Sequence, residues 1–404
     1  TYPNYKNPET GIWDEDKTAI EVYNPLGMLE ITNKKIASHV NVNGRVNVEI
    51  IKGLNLTGFG SYTYYSLNDR RYIPNDIQQG SMNGNGQAYL KYAERNDLMG
   101  NLQLNYAREF GRHSINALAL LEAQTQSLFE SSTKTSGYET NYFTYNNLKA
   151  GANISWGDAT SNATRFALLS YMARFNYMYD SRYVVTANVR RDGSSKLGYG
   201  NKWGFFPSVS LGWRMSEENF FAPLRNAVDN FKLRASFGSL GDDSGSAAYA
   251  FLSTFSNVST APSVVLGGVG QNGIMTSLVA NELLTWERNY SYNVGFDLAM
   301  WSGKLGVEFD AFYNYIFDIL GSNTGKPASM GGYYPTYINN NAQDVKGIDV
   351  KLTHRNHIGK DFQYGVTVNM TWAKDRWLRY QDSPNTPDYA KRTGKSRYMT
   401  MGFM

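Results

Sequence analysis

Four groupings of residues have the types and spacing that chemistry would need. Gly268-Val269-Gly270-Gln271-Asn272-Gly273 carries the glycine pattern of a dinucleotide-binding turn, where missing side chains let the backbone approach a pyrophosphate. Such a turn works between a strand and a helix of a parallel sheet. Here antiparallel hairpin patterns lie on both sides, so the stretch reads as loop. Glu308 and Asp310 would share one face of a strand and superficially suggest a glycosidase pair, but that chemistry needs two carboxyls opposed across a cleft. Ion pairing is the simpler reading. His354 and His357 are the closest pair among only four histidines; three residues apart on a strand, they project to opposite faces and cannot share a metal there. Asp242-Asp243 could offer oxygens to Ca2+ from a Gly- and Ser-rich turn, although acidic residues are common in turns without any ion. The chain has no cysteine, which removes thiolate nucleophiles, thiolate ligands and disulfides together. The expectation is a non-enzyme with no catalytic, metal or cofactor-binding residues.

Binding is a different matter. Tyr72, Tyr138, Tyr142, Tyr333, Tyr334 and Tyr337 fall in long links rich in Gly, Asn, Ser and Tyr, and tyrosine rings there could stack on sugars. They are the candidate ligand contacts, with lid or packing roles as the commoner use of such residues. A formal net charge of +4 over 404 residues, with no basic run, argues against a nucleic-acid partner.

The elements that must position these residues show a period of two. Val40, Val42, Val46, Val48 and Ile50 alternate with Asn41, Asn43, Arg45, Asn47 and Glu49; after Lys52-Gly53, Leu54, Leu56, Tyr62 and Tyr64 alternate with Asn55, Thr57, Ser61 and Thr63. Similar segments recur at 98–106, 115–123, 169–179, 183–189, 209–213, 231–237, 290–298, 305–315, 348–352 and 364–372, about twelve strands by the alternation rule. Tyr290, Tyr292, Val294, Phe296 and Leu298 against Ser291, Asn293, Gly295 and Asp297 is the cleanest case.

The connections alternate too. Short turns at Lys52-Gly53, Gly111-Arg112, Asp180-Ser181-Arg182, Ser302-Gly303 and Ile358-Gly359-Lys360 interleave with long links near 69–88, 127–163, 244–285 and 321–345. Short turns at one end and long loops at the other, joined by strands with one apolar face, are the pattern of transmembrane barrels. Aromatic residues gather near strand ends at Tyr62–Tyr65, Tyr177–Tyr183, Trp203–Phe206 and Tyr313–Phe317, where interfacial belts would lie. The polar faces carry Arg174, Arg190, Arg214, Lys232 and Arg234 together with Glu49, Glu122, Asp297, Glu308, Asp310 and Asp349. On a lipid face an Arg or Lys at the midplane would cost roughly 2–4 kcal/mol, so these should point inwards. No run of eighteen apolar residues exists for a membrane helix, and the start at Thr1 suggests a processed chain or a fragment. A soluble, β-rich carbohydrate-binding or carbohydrate-cleaving protein, its apolar faces meeting each other, is the alternative.

From Ser170 the sequence runs SYMARFNYMYDSRYVVTANVRRDGSSKLGYGNKWGFFPSVSLGWRMSEENFF. This resembles the barrel signature of the starch-utilisation type (SusC/RagA) TonB-dependent outer-membrane transporters, above all in Arg190-Arg191-Asp192-Gly193-Ser194-Ser195, Trp203, Phe206-Pro207-Ser208, Gly212-Trp213-Arg214 and Lys232-Leu233-Arg234-Ala235-Ser236-Phe237-Gly238. Asn24-Pro25-Leu26, Thr285-Trp286-Glu287, Asn293 to Asp297 and Lys346-Gly347 agree as well, while Asn341-Ala342-Gln343-Asp344 departs from the family's usual Gly-Glu pair.

The resemblance implies an all-β, antiparallel transmembrane barrel of the large plugged type, with about 22 strands when complete, about half of them here. It divides the chain into a lead-in segment over 1–38 and a partial barrel over 39–404, without plug domain, TonB box or closing strands. It further implies import of a glycan, oligosaccharide or peptide across the Gram-negative outer membrane, a SusD-like surface lipoprotein as partner, TonB acting through a part of the protein outside this chain, and outer-membrane lipid around the barrel.

Overall fold

The computed structural model describes residues 6, 9, 13, 24–77, 79, 84–155, 157–245, 249–257, 264–271, 273–324 and 334–399. Along the chain the strands are β1 (Thr32–Ile51), β2 (Leu54–Ile73), β3 (Gln87–Phe110), β4 (His113–Tyr138), β5 (Gly151–Asn153), β6 (Ala159–Tyr179), β7 (Tyr183–Ser194), β8 (Trp203–Arg214), β9 (Val228–Asp242), β10 (Thr254–Asn257), β11 (Val264–Leu266), β12 (Val269–Gln271), β13 (Ile274–Leu278), β14 (Glu287–Met300), β15 (Leu305–Ser322), β16 (Tyr337–Ile358) and β17 (Phe362–Arg379).

Twelve long strands pair in the order β1-β2-β3-β4-β6-β7-β8-β9-β14-β15-β16-β17, with β5 added beside β4, into one antiparallel sheet whose edges are β1 and β17. Every segment of alternating sequence lies inside one of these strands. Chain neighbours are sheet neighbours throughout, the topology that hairpins produce. The two small pairs, β10 with β13 and β11 with β12, fall inside the long link between β9 and β14. The glycine-rich stretch at 268–273 therefore belongs to a hairpin, with Gly267 and Gly268 in the left-handed region.

At one end, tight connections join β1 to β2, β3 to β4, β6 to β7, β14 to β15 and β16 to β17. Gly53 shows why glycine is needed there: its φ is +86°, and a Cβ would meet the Ala107 carbonyl oxygen at 2.4 Å. At the other end the connections are long. Two strands reach much further toward that end than the sequence pattern suggests: β3 extends from 98–106 to Gln87–Phe110, and β4 from 115–123 to His113–Tyr138. Much of the link expected near 127–163 is therefore strand, and β1 begins at Thr32.

The register separates two faces. Tyr292, Val294 and Phe296 of β14 lie beside Phe237, Ala235 and Leu233 of β9 and beside Tyr313, Ala311 and Phe309 of β15. Among the described residues no second sheet covers this face: Tyr292 is 47% and Val294 58% exposed, although β14 is an interior strand. The opposite face carries Lys232, Arg234, Asn293, Asp297, Glu308 and Asp310. A soluble β-protein would place these faces the other way round. On β3 the apolar band runs from Leu98 to Tyr106, and Asn96 and Glu94 follow on the same face. Nine residues match the roughly 9–11 that a tilted strand needs to cross a bilayer.

Aromatic rings flank the band at both ends. Phe110, His113, Tyr177, Tyr179 and Tyr183 cluster toward the short turns, with His113 stacked on Phe110 at 5.3 Å and hydrogen bonded to Tyr177 at 2.8 Å. Toward the long loops, Tyr290 meets Phe317 edge to face at 4.9 Å, and Tyr292 lies 6.3 Å from Tyr313.

Candidate functional site

The polar face is a hydrogen-bonded wall. Asn116 Nδ2 donates to Asn105 Oδ1 (3.2 Å), Asn176 Nδ2 to Asn116 Oδ1 (3.3 Å) and Thr186 Oγ1 to Asn176 Oδ1 (2.8 Å), a chain of amides across four strands. The charged residues pair with each other. Arg234 reaches Asp297 of β14 and Asp310 of β15, each at 2.9 Å; Arg190 joins Asp192 at 2.8 Å and Glu122 at 3.6 Å; Lys351 meets Glu308 at 2.8 Å. Mutual pairing limits the cost of charges on a partly enclosed wall, where an unpaired charge would be disfavoured. Arg234 Nε is buried without a hydrogen-bond partner in the structure.

These partners also account for the residues that suggested catalysis or metal binding. Glu308 and Asp310 hold Lys351 and Arg234. His354 contacts Tyr364 on the apolar face, while His357 lies on the other face. Asp242 accepts from Ser244, and Asp243 accepts from Ser194 at 2.5 Å beside Lys196.

At the long-loop end, pairing between β8 and β9 stops at Ser208 and Gly238. Beyond it, Phe206 packs with Leu197, Ala250, Leu284 and Trp286, meeting Trp286 edge to face at 5.4 Å. The Trp286 indole N–H donates to the Lys202 carbonyl at 3.1 Å. Leu197 and Phe206 from the β7–β8 region thus form one cluster with Ala250, Leu284 and Trp286, which lie more than forty residues further along the chain, at the base of the loops. The atypical Asn341-Ala342-Gln343-Asp344 stretch is buried as well, with Asp344 accepting two hydrogen bonds from Arg376.

The candidate tyrosines separate. Tyr72 and Tyr138 are fully buried, T-shaped to each other at 5.3 Å, and packed with Ala88, Tyr145 and Leu148. Their rings are packed in a loop anchor here, the commoner use of such loop tyrosines. Sequence alone offers no sign of this, because burial arises when the 139–150 segment folds back over β2 and β3. Tyr142 is 84% exposed, Tyr337 is 43% exposed at the start of β16, Tyr334 is half-buried, and Tyr333 lies outside the described residues.

Residues 9–400 match the family model described as TonB dependent receptor-like, beta-barrel. The chain belongs to that family. Among relatives of the TonB-dependent receptor barrel, the chain is 28% identical over 386 residues to TonB-dependent receptor P3 of Formosa agariphila, covering 93% of this chain and 37% of that protein. It is 27% identical over 240 residues to TonB-dependent receptor SusC of Bacteroides thetaiotaomicron, covering 59% of this chain and 23% of that protein. The fold is that of the RagAB peptide importer in its closed-closed state, with a TM-score of 0.78 and 20% identity over 92% of this chain and 40% of that one. The chain thus spans well under half the length of the relatives it matches. These relatives are receptors rather than enzymes, and within the TonB-dependent receptor barrel the apolar face is the outer one and the polar face lines the lumen. A concavity of about 640 Å3 bounded by Tyr183, Leu211, Trp213, Leu233 and Val294 accordingly lies on the outer surface.

Proposed function

We propose that this chain is part of the wall of an outer-membrane importer that takes up a glycan, oligosaccharide or peptide beneath a SusD-like lipoprotein, with TonB supplying energy through another part of the protein. The observation that carries the reading is the pair of faces on β14: Val294 exposed on the side free of any covering layer, Asp297 tied to Arg234 on the other. Such a wall performs no bond chemistry. It encloses a polar path, and ligand release requires a separate two-state element whose affinity changes when work is done on it.

The barrel wall divides as its faces do. The partial barrel runs over 39–404 after a lead-in over 1–38, its strands form the wall, and the long loops at the end carrying Tyr142, Tyr334 and Tyr337 form the mouth; Tyr142 and Tyr337 present free ring area for stacking on a sugar or on an aromatic peptide side chain. The glycan class follows from the resemblance to the starch-utilisation type, and the peptide class from the fold shared with the RagAB peptide importer. The test is growth of a strain lacking the whole gene on defined glycans and peptides as sole nutrients, with fractionation of the intact protein. Loss of growth on one class, restored by the gene, is expected. Recovery of the intact protein as a stable monomer in detergent-free buffer would reject the importer.

A further inference from the structure

The connection between β8 and β9 differs from the tight turns beside it at the short-turn end. It runs over residues 215–227 and contains a 3-10 turn, Met215–Glu217, followed by a 3-10 helix, Asn219–Leu224. Its place follows from two strands of unequal reach. β8 stops at Arg214, opposite Lys232, while β9 runs on through Phe231 to Val228 beside β14. The connection occupies the space that β8 leaves: Phe221 is buried and stacked on Phe231 at 6.1 Å, and Phe231 lies beside Leu298 on the outer face. Phe220 meets Trp213 edge to face at 6.3 Å, at the rim of the outer concavity that Trp213 and Leu233 help to bound. The apolar surface of the wall therefore continues onto a segment that is not a strand.

That segment is pinned in place. Glu218 ties it to the Tyr183 hydroxyl, the Trp213 indole and Arg182, and Arg225 donates to the Ser216 and Glu218 carbonyls at 3.1 and 3.2 Å. Yet the helix turns apolar side chains outwards. Phe220 is 62% and Leu224 54% exposed, Ala222 and Pro223 are exposed with them, and Phe221 is the one buried residue of the six. β8 and β9 are interior strands, so this exposure does not come from an open edge of the sheet. A contiguous apolar patch of this kind marks a contact with lipid or with protein.

Continuity and backbone chemistry both favour lipid. The outer face that the patch prolongs is the one that meets hydrocarbon, and short turns lie on the periplasmic side. A 3-10 helix leaves terminal backbone groups unpaired, which the hydrocarbon core does not tolerate and the hydrated headgroup boundary does. Glu217, Asn219, Arg225 and Asn226, all exposed, flank the apolar residues and supply the polar side that such a position needs.

We propose that Asn219–Leu224 is a foot inserted at the boundary between headgroups and acyl chains of the periplasmic leaflet, with Phe220 and Leu224 against lipid, and that it fixes the height at which this side of the barrel sits. The inference rests on the outer-membrane reading of the chain.

The experiment places the intact protein in phospholipid nanodiscs, with a nitroxide attached singly through Phe220→Cys, Leu224→Cys, Glu217→Cys or Val294→Cys; this chain has no cysteine of its own, and any elsewhere in the protein is replaced first. Power saturation with dissolved oxygen and with a water-soluble nickel chelate reads the surroundings of each label. At positions 220 and 224 the oxygen effect should persist and the nickel effect should be lost, as at position 294, whereas the label at 217 should respond to nickel. Labels at 220 and 224 as open to nickel as that at 217 would put the helix in periplasmic water and overturn the foot. Labels shielded from both reagents would mean that a second copy or another part of the protein covers the patch, which overturns it equally. In both cases oxygen access without nickel access at position 294 leaves the importer wall standing. Nickel access at position 294 would instead remove the outer-membrane reading itself.

Discussion

The ring of Phe206 fills the space in which a side chain on Gly241 would begin, since a Cβ there would lie 2.0 Å from Phe206 Cζ. Gly204 is in the same position, with its Cβ site 2.2 Å from that atom. Phe206 has little freedom to retreat, being buried against Trp286 and Leu197. Gly241→Val should therefore destabilise the barrel by about 1–3 kcal/mol, the usual effect of overpacking. The check is the temperature at which the folded barrel loses its compact mobility in detergent gels. Adding Phe206→Ala should recover part of the loss; no recovery would mean that the two positions are not in conflict.

The two faces of β14 make a second prediction. Val294→Arg places a charge on the outer face within the apolar band, at a cost of about 2–4 kcal/mol near the midplane, whereas Asn293→Arg points into a hydrated lumen. Folded protein in outer-membrane fractions should drop for the first and hold for the second. Equal levels would contradict the assignment of faces.

Where the sequence was readable, and where it was not, follows from the solvent on each side. Residues 98–106 alternate because Leu98, Leu102 and Leu104 meet an apolar environment while Asn101 and Gln103 do not. Beyond Leu98 both faces meet water, with Asn96 and Glu94 outside and Asp97 and Arg95 inside, so the period of two disappears although the backbone ladder runs on to Gln87. The same loss of contrast hides the upper half of β4. The burial of Tyr72 and Tyr138 was illegible for another reason: it depends on a loop folding back, which no local pattern encodes. The cluster of Leu197, Phe206 and Trp286 was visible only through the family signature, because its members are brought together by strand order.

Arg234 bridges two acids on two different strands, so its removal should be felt by both. Arg234→Met leaves Asp297 and Asp310 facing each other unpaired on the lumen wall, and a loss of about 1–3 kcal/mol is expected. The triple variant Arg234→Met/Asp297→Asn/Asp310→Asn should recover most of it, since replacing all partners avoids the stranded charges. Thermal unfolding of the purified barrel measures both; a triple variant as weak as the single one would show that the arginine acts through packing instead.

Glu218, in the β8–β9 connection at the short-turn end, gives a pH-dependent prediction. Its carboxylate accepts from the Tyr183 hydroxyl at 2.5 Å and from the Trp213 indole N–H at 3.1 Å, and Arg182 lies 3.3 Å away. The Tyr183 hydrogen bond first, then that of Trp213, hold the carboxyl below its ordinary value of 4.5. A group whose folded value is depressed stabilises the fold above the unfolded value and loses that contribution as the pH falls through the folded value. The turn should thus be intact at neutral pH and loosen progressively on acidification below about 4.5. Trp213 emission, isolated as the difference between the wild type and Trp213→Phe, should shift over that range, and Glu218→Gln should abolish the transition because its amide does not titrate. A shift of the same size and midpoint in Glu218→Gln would assign the change to another acid.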